Sequence, residues 1–164
     1  MNIIKSALRP ELIQACNDEI DTLLPERAWS SSELTWDPGL YADIPGVCLS
    51  ADVSFLLGKR IKSDLLTHLP SCDKIEINYN VWLKQSGIRF HTDANYKFGA
   101  TLYLNEWNKK WGGLFIWEDK NEDLHAICPQ PGMLLINTEA ESHSVTQVSS
   151  TAPYARRSLQ IWGT

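Results

Sequence analysis

The chain has 164 residues, 43% of them hydrophobic and 21% charged, with a formal net charge of −5 at pH 7. That length fits one domain with a sizeable core, and the negative balance removes the electrostatic case for binding nucleic acid or an anionic membrane. No stretch has the apolar length of a membrane span, and Met1-Asn2-Ile3-Ile4-Lys5-Ser6 lacks the apolar run of a secretory leader, so a cytoplasmic location is expected.

Taken in chain order, Pro10 to Leu24 carries apolar residues at 12, 13, 16, 20, 23 and 24, one face of a helix, with Pro10 in the first turn and Pro25 as its stop. Ala28 to Val47 is rich in serine, proline, aspartate and tryptophan and reads as a long ordered loop or edge hairpin. Its Trp29, Trp36 and Tyr41 are candidates to touch a substrate, with packing against a sheet the expected role for most of them. Ser50 to Leu69 repeats the helical pattern through Val53, Leu57, Ile61, Leu65 and Leu69, with Ser50 as cap and Pro70 as stop.

From Lys74 onward short β runs recur roughly every eight to twelve residues between turn signals such as Gln85-Ser86-Gly87 and Pro129-Gln130-Pro131-Gly132. About eight strands follow one another. The expected fold is mainly β within an α+β plan: a jelly roll, or double-stranded β-helix, braced by two N-terminal helices. Residues 1–164 form one domain on this reading, with 1–73 as helical support and loop and 74–164 as the jelly-roll core. Cys16, Cys48, Cys72 and Cys128 lack the close pairing of structural zinc and read as reduced thiols.

Chemistry concentrates in the β half. In Phe90-His91-Thr92-Asp93 an extended backbone turns His91 and Asp93 to the same side, so both could reach one metal. A third ligand has to come from another strand, and His143 sits in a short β run, Ser142 to Val148. Two imidazoles and a carboxylate on one face of an octahedron leave the opposite positions open. His-x-Asp alone is a weak signal; His68, near a helix end, and His125, in a polar hairpin, read as surface or packing residues.

The last strand, Tyr154 to Trp162, puts Arg156, Ser158, Gln160 and Trp162 on one face and Arg157, Leu159 and Ile161 on the other. A guanidinium on the inward face needs an anion, which points to a bidentate grip on a ligand carboxylate. Alternation alone leaves open which arginine points inward. Gly99, Thr101, Tyr103 and Asn105 likewise share a face, where a buried phenol seeks a polar partner.

The pieces His91-Thr92-Asp93, Thr101-Leu102-Tyr103-Leu104-Asn105, Trp111-Gly112-Gly113, Pro131-Gly132, Ser142-His143-Ser144-Val145 and Arg156 to Trp162, in this order, resemble the prolyl 4-hydroxylase-like branch of the Fe(II)/2-oxoglutarate dioxygenases. The resemblance covers about residues 74 to 164. It implies that His91, Asp93 and His143 hold Fe(II), and that Arg156, helped by Tyr103, binds the distal carboxylate of 2-oxoglutarate. Ser158, Gln160 and Trp162 become further co-substrate contacts. Tyr79 resembles a co-substrate tyrosine but lies two residues further from His91 than the pattern, so either it keeps that role across the Lys84 to Gly87 loop or Val81 takes its place.

The implied reaction consumes O2, releases succinate and CO2, and hydroxylates an unactivated C–H bond. Asp93 stands where halide-transferring relatives carry a small residue, which favours hydroxylation, and Trp162 stands where AlkB-type demethylases carry a second arginine, which disfavours nucleic-acid repair. Arg89, Trp82 and Trp117 flank the strands expected to form the pocket mouth and are candidate substrate contacts. A prolyl or other protein residue is placed ahead of a free amino acid or small metabolite as substrate. A jelly-roll module that binds a metal or a carboxylate without turnover is the alternative from a different class.

Overall fold

In the computed structural model, which describes residues 1–26 and 29–164, side-chain alternation along each strand sorts the chain into layers. The N-terminal part gives β1 (Asn2–Ile4), α1 (Pro10–Glu26), β2 (Ser30–Ser31), the short α2 (Ser32–Thr35), a 3₁₀ turn at Pro38–Leu40, β3 (Cys48–Asp52) and α3 (Phe55–Leu65). Then follow β4 (Ile75–Trp82), β5 (Ile88–His91), β6 (Phe98–Tyr103), a 3₁₀ turn at Lys109–Trp111, β7 (Phe115–Glu118), β8 (Leu124–Ile127), β9 (Leu134–Asn137), β10 (His143–Val145) and β11 (Arg156–Gly163). The strands expected after Lys74 are thus β4 to β11. They form a seven-stranded sheet, β1-β9-β6-β11-β4-β3-β2, and a four-stranded sheet, β5-β10-β7-β8, in the jelly-roll arrangement.

The two faces of the larger sheet bury different things. Ile77, Tyr79 and Val81 of β4, Leu159 and Ile161 of β11, and Ala100 and Leu102 of β6 pack against Leu12, Cys16 and Ile20 of α1 and Ile61 and Leu65 of α3. Full burial of one such aliphatic side chain contributes about 1.5–3 kcal/mol, so this layer carries much of the stability. The other face looks toward the smaller sheet, where Trp82, Tyr103, Phe115, Trp117 and Val145 make a second cluster. Arg157 belongs to the first face: its guanidinium donates to Asn17 Oδ1 at 3.1 Å and to Asp21 at 2.6 Å, tying the last strand to α1. Arg156, one residue earlier, therefore points between the sheets.

Three expectations need correction. Ser50 does not cap the second helix: Cys48 to Asp52 pair with β4 as a strand, Ser50 opposite Asn80. Helix α3 starts at Phe55, and Ser54 at its N-terminus donates through its backbone N–H and its hydroxyl to the Glu19 carboxylate, at 2.7 and 2.6 Å. The start of α3 is thus fixed by an acid from α1, a partner that no local pattern reveals. Pro25 does not stop α1 but sits in its last turn, which runs to Glu26.

In the segment read as a long loop, Trp29 packs behind the sheet with its ring centroid 6.5 Å from that of Tyr79, whereas Trp36 leans on Trp82 at 5.6 Å on the inner side. Tyr41 donates to the Glu33 carbonyl, holding the segment to itself. Ala28, where that segment begins, lies outside the described residues. Cys16 and Cys48 are buried free thiols, and burial pushes the Cys16 thiol up to about 12, so both pack as small apolar groups. Among the described residues no helix is long and apolar enough to cross a membrane.

Truncating Ile61, which is fully buried under the sheet, should cost about 2–5 kcal/mol in I61A. Urea unfolding measures it, and a loss below about 1 kcal/mol would contradict the packing of α3 on this layer.

Candidate metal centre

Antiparallel pairing of β5 with β10 sets His91 directly opposite His143. Side chains directly opposite each other stand on the same face of the sheet, and the two imidazole centroids are 4.4 Å apart. Asp93, two residues past the end of β5, bends back so that its Oδ1 lies 3.8 Å from His91 Nε2 and its Oδ2 lies 3.4 Å from His143 Nε2. One donor atom from each residue lies within 4.8 Å of the other two.

The imidazoles are oriented by their own backbones. Nδ1 of His91 is 2.8 Å from the Arg89 carbonyl oxygen, and Nδ1 of His143 is 2.9 Å from that of Glu141. A carbonyl can only accept, so each Nδ1 carries the proton and each Nε2 lone pair is directed at the third donor. Phe115 stacks on the His143 ring at 5.2 Å and limits its rotation. Burial raises the Asp93 carboxyl pKa, with His143 and then His91 opposing, and burial lowers that of His143. Both shifts favour neutral forms. A divalent cation uses neutral imidazoles as they stand and supplies the positive charge an ionised Asp93 lacks.

Two residues that support this cluster escaped the sequence reading. Gly99 of β6 faces Asp93: a Cβ there would fall 2.6 Å from Asp93 Oδ2 and 3.1 Å from the Trp162 ring, so only glycine leaves the carboxylate its place. A glycine inside a strand signals close approach of another group, so a hint was available. Asn137 of β9 lies opposite Gly99. Its amide donates to the Glu141 carbonyl at 2.9 Å and its oxygen accepts from the Glu141 N–H at 3.0 Å, stapling the turn that delivers His143. Nothing in the local sequence marks that role.

A cavity of about 500 Å³ runs from this cluster between the sheets. Its floor includes Arg156, Ser158, Gln160 and Trp162 of β11, as alternation along that strand requires. Arg156 is 1% exposed. Its guanidinium lies 4.6 Å over the Trp82 ring and 5.3 Å from that of Tyr103, and Nη1 donates to the Gly113 carbonyl at 2.8 Å. Among the described residues no carboxylate pairs with it, and Arg156 Nε, Tyr103 Oη and Trp82 Nε1 are buried without a hydrogen-bond partner. Burial pulls the Arg156 pKa down and pushes the Tyr103 phenol up to about 12, with the Arg156 charge opposing the latter. A buried cation beside two idle N–H and O–H donors is the chemistry of a carboxylate site, and it fits the distal carboxylate of 2-oxoglutarate.

The remaining candidates separate. Trp82 lines the cavity, whereas Tyr103 is off its wall and meets it through Arg156, 5.3 Å from the phenol ring. Tyr79 does not line it: it is fully buried on the opposite face against Trp29, and Val81 shares that face, so neither can touch a ligand held by Arg156. The even-numbered residues of β4, Asn78, Asn80 and Trp82, line the cavity instead. Arg89 binds Asp43 at 2.6 Å and is not part of the cavity wall. Trp117 stacks on His125 at 5.1 Å beside Phe115 and is likewise off the wall. His125 meets Asp119 at 2.9 Å, a surface arrangement.

The profile of the 2OG-Fe(II) oxygenase superfamily matches residues 77–164, the segment that carries every one of these donors. The chain belongs to this superfamily. It is accordingly a 2-oxoglutarate- and iron-dependent oxygenase, which sets aside the reading as a binding module without turnover. A prolyl 4-hydroxylase from Pseudomonas putida shares the fold at 18% identity and a TM-score of 0.76, covering 99% of this chain and 91% of that one. A prolyl hydroxylase of Trichoplax adhaerens, solved with a peptide fragment of the hypoxia inducible factor oxygen degradation domain, matches at 14% identity and 0.77, covering 99% and 82%. HygX of Streptomyces hygroscopicus, solved with nickel and 2-oxoglutarate bound, matches at 13% and 0.68, covering 98% and 81%. No curated protein matches the chain in sequence.

Two substitutions test the cluster. G99A should weaken Fe(II) or Co(II) binding roughly 10- to 100-fold, read from the metal-induced rise in melting temperature. Unchanged affinity would remove Gly99 from its assigned role. For D93N the sign follows from the raised carboxyl pKa: protonation of Asp93 stabilises the metal-free fold below the ordinary aspartate range, and that stabilisation is lost as pH rises through the higher folded value. Metal-free D93N should therefore melt at or above the wild-type temperature at neutral pH, with the advantage shrinking on acidification, and should bind no metal. A lower melting temperature at neutral pH would reverse the assigned electrostatics.

Proposed function

We propose that the enzyme hydroxylates an unactivated C–H bond of an amino-acid residue, prolyl or other, within a peptide or protein, with release of succinate and CO2. The observation that carries the reading is Arg156, a buried guanidinium without an acid, in the same cavity as the His91, Asp93 and His143 donors. Held by those three residues, Fe(II) together with 2-oxoglutarate would supply the oxygen-activating chemistry of the superfamily.

The protein's own contribution is positioning. Arg156 grips the distal carboxylate, with Tyr103 Oη and Trp82 Nε1 as the further donors, so the co-substrate meets the metal in a single orientation. Ser158 and Gln160 line its path, and Thr101 fixes the Gln160 carboxamide by donating to it at 3.0 Å. Trp162, stacked on Tyr96 at 4.4 Å, walls the side next to Asp93 and limits access of water. Because Asp93 supplies a carboxylate, three protein donors fill one face, which supports hydroxyl rather than halide transfer. The peptide half of the reading is supported by the fold shared with the Trichoplax enzyme, whose structure holds a peptide. A free amino acid or small metabolite is the competing substrate class.

Anaerobic Fe(II) and 2-oxoglutarate should give a charge-transfer absorption, followed by succinate on admitting oxygen. In R156M the 2-oxoglutarate affinity should fall about 10²-fold or more, because a carboxylate loses its buried partner. The metal-free variant should remain as stable as the wild type or become more so, since an unpaired buried charge is gone. Unaltered 2-oxoglutarate affinity in R156M would overturn the proposal.

A further inference from the structure

Arg156 has several rotatable bonds, so it can gauge the length of a ligand only where its surroundings stop it from moving. The rings of Trp82 and Tyr103 confine the guanidinium, but contact with a ring face leaves it free to slide. The hydrogen bond from Nη1 to the Gly113 carbonyl, at 2.8 Å, is directional. That carbonyl is held from behind by Trp107. Its Nε1 donates to the Gly112 carbonyl at 2.7 Å, so the consecutive carbonyls of Gly112 and Gly113 take one donor each, the indole and the guanidinium. Both glycines have positive φ, +65° and +60°, and a Cβ on Gly113 would fall 3.3 Å from the Trp107 ring and 3.4 Å from Arg156 Cδ. Glycine there lets the indole, the backbone and the arginine stem stack closely.

Trp107 is itself fixed. It is buried, packed edge-on against Trp111 at 5.4 Å and Tyr154 at 6.1 Å, and Tyr154 donates at 3.1 Å to the carbonyl of Glu106 beside it. Two residues before Trp107, the Asn105 amide donates to the Ala155 carbonyl at 3.0 Å and its oxygen accepts from the Arg157 N–H at 2.9 Å. Residues 105–107 and 112–113 thus grip Arg156 through both of its chain neighbours and through its guanidinium.

We propose that Trp107 is a positioning residue for the co-substrate: through the carbonyls of Gly112 and Gly113 it fixes how deep the Arg156 guanidinium lies, and so sets the chain length of the 2-oxo diacid that the cavity accepts. The proposal rests on the reading of Arg156 as the distal-carboxylate site. A diacid tethered by one end at the metal cluster and by the other at Arg156 fits when its span equals theirs, and one methylene more or less loosens one of the two grips. Without the Nε1–H the Gly112 carbonyl loses its donor, the Gly113 carbonyl can turn, and the guanidinium follows it. Trp107 does not line the cavity, so its effect passes through Arg156.

The test uses the full chain with Fe(II) under anaerobic conditions, titrated with oxaloacetate, 2-oxoglutarate and 2-oxoadipate through their charge-transfer absorption. The wild type should prefer 2-oxoglutarate to the shorter and the longer diacid. W107F, and Trp107→benzothienylalanine, in which sulfur replaces the N–H and the ring shape is kept, should each weaken 2-oxoglutarate binding about five- to tenfold, the worth of one hydrogen bond. The preference over 2-oxoadipate should narrow by a similar factor, with Fe(II) affinity unchanged. In the metal-free protein the Arg156 guanidinium N–H signals should exchange with water faster in either variant than in the wild type, read by NMR on nitrogen-labelled protein. I61A, which destabilises the opposite layer, is the control: it lowers the melting temperature and leaves the preference alone. No preference in the wild type, a preference that ignores position 107, a parallel fall in Fe(II) affinity, an equal change in I61A, or failure of both Trp107 variants to fold would each overturn the proposal, the last because it makes the role of Trp107 structural. A wild type that gives no charge-transfer band with any of the diacids takes down the distal-carboxylate reading and the proposal with it, whereas the other outcomes leave that reading standing.

Discussion

A guanidinium shut away from water with no acid beside it works against folding, and the architecture around Arg156 is what keeps it there. Trp82 lies 4.6 Å from its planar group, the Gly113 carbonyl takes one N–H, and the Tyr103 ring lies 5.3 Å away. None of these neutralises the charge. The sheet can hold Arg156 inward because Arg157, next in the chain, anchors outward on Asn17 and Asp21 of α1, and because Leu159 and Ile161 bury on that same outer face. Strand alternation converts those outer contacts into an inward orientation for Arg156, Ser158 and Gln160. Stability and chemistry are thus divided between opposite faces of the same strands.

The metal cluster follows the same economy of position. His91 and His143 meet because two short strands pair with those residues in register, and each ring is turned by a carbonyl two residues before it. Beneath them, Gly99 and Asn137 sit opposite one another on the larger sheet. One leaves room for the Asp93 carboxylate, and the other staples the turn before His143. Burial pushes the Asp93 carboxyl pKa up and that of His143 down, each toward its neutral form.

How much of this was legible depended on whether the cause was local. Alternation in β4 is plain from Ile75 to Trp82, where Ile75, Ile77, Tyr79 and Val81 take one parity and Glu76, Asn78 and Asn80 the other, joined at the strand end by Trp82. The resemblance nevertheless drew attention to Tyr79 and Val81, which share the helix-covered face, while Asn78 and Asn80 look into the cavity. Ser50 misled for a related reason. Its neighbours fit a helical period as well as a strand, and only pairing with β4, distant in sequence, decides between them. Arg89 and Trp117 were placed near the mouth by chain order, but a salt bridge to Asp43 and a stack on His125 take them out of it.

From its residues alone the chain narrowed the candidate donors for a metal and a carboxylate, because few residue types offer them and strand periodicity limits which can face one way, and the resemblance picked the set from among them. It also determined the jelly-roll class, since helical periods give way to short alternating runs after Lys74. Tertiary structure decided which arginine turns inward, which glycine gives the Asp93 carboxylate its space, and which parity of β4 faces the cavity. Those outcomes depend on register between strands far apart in sequence, and register is set by the packing of whole layers rather than by any window of neighbouring residues.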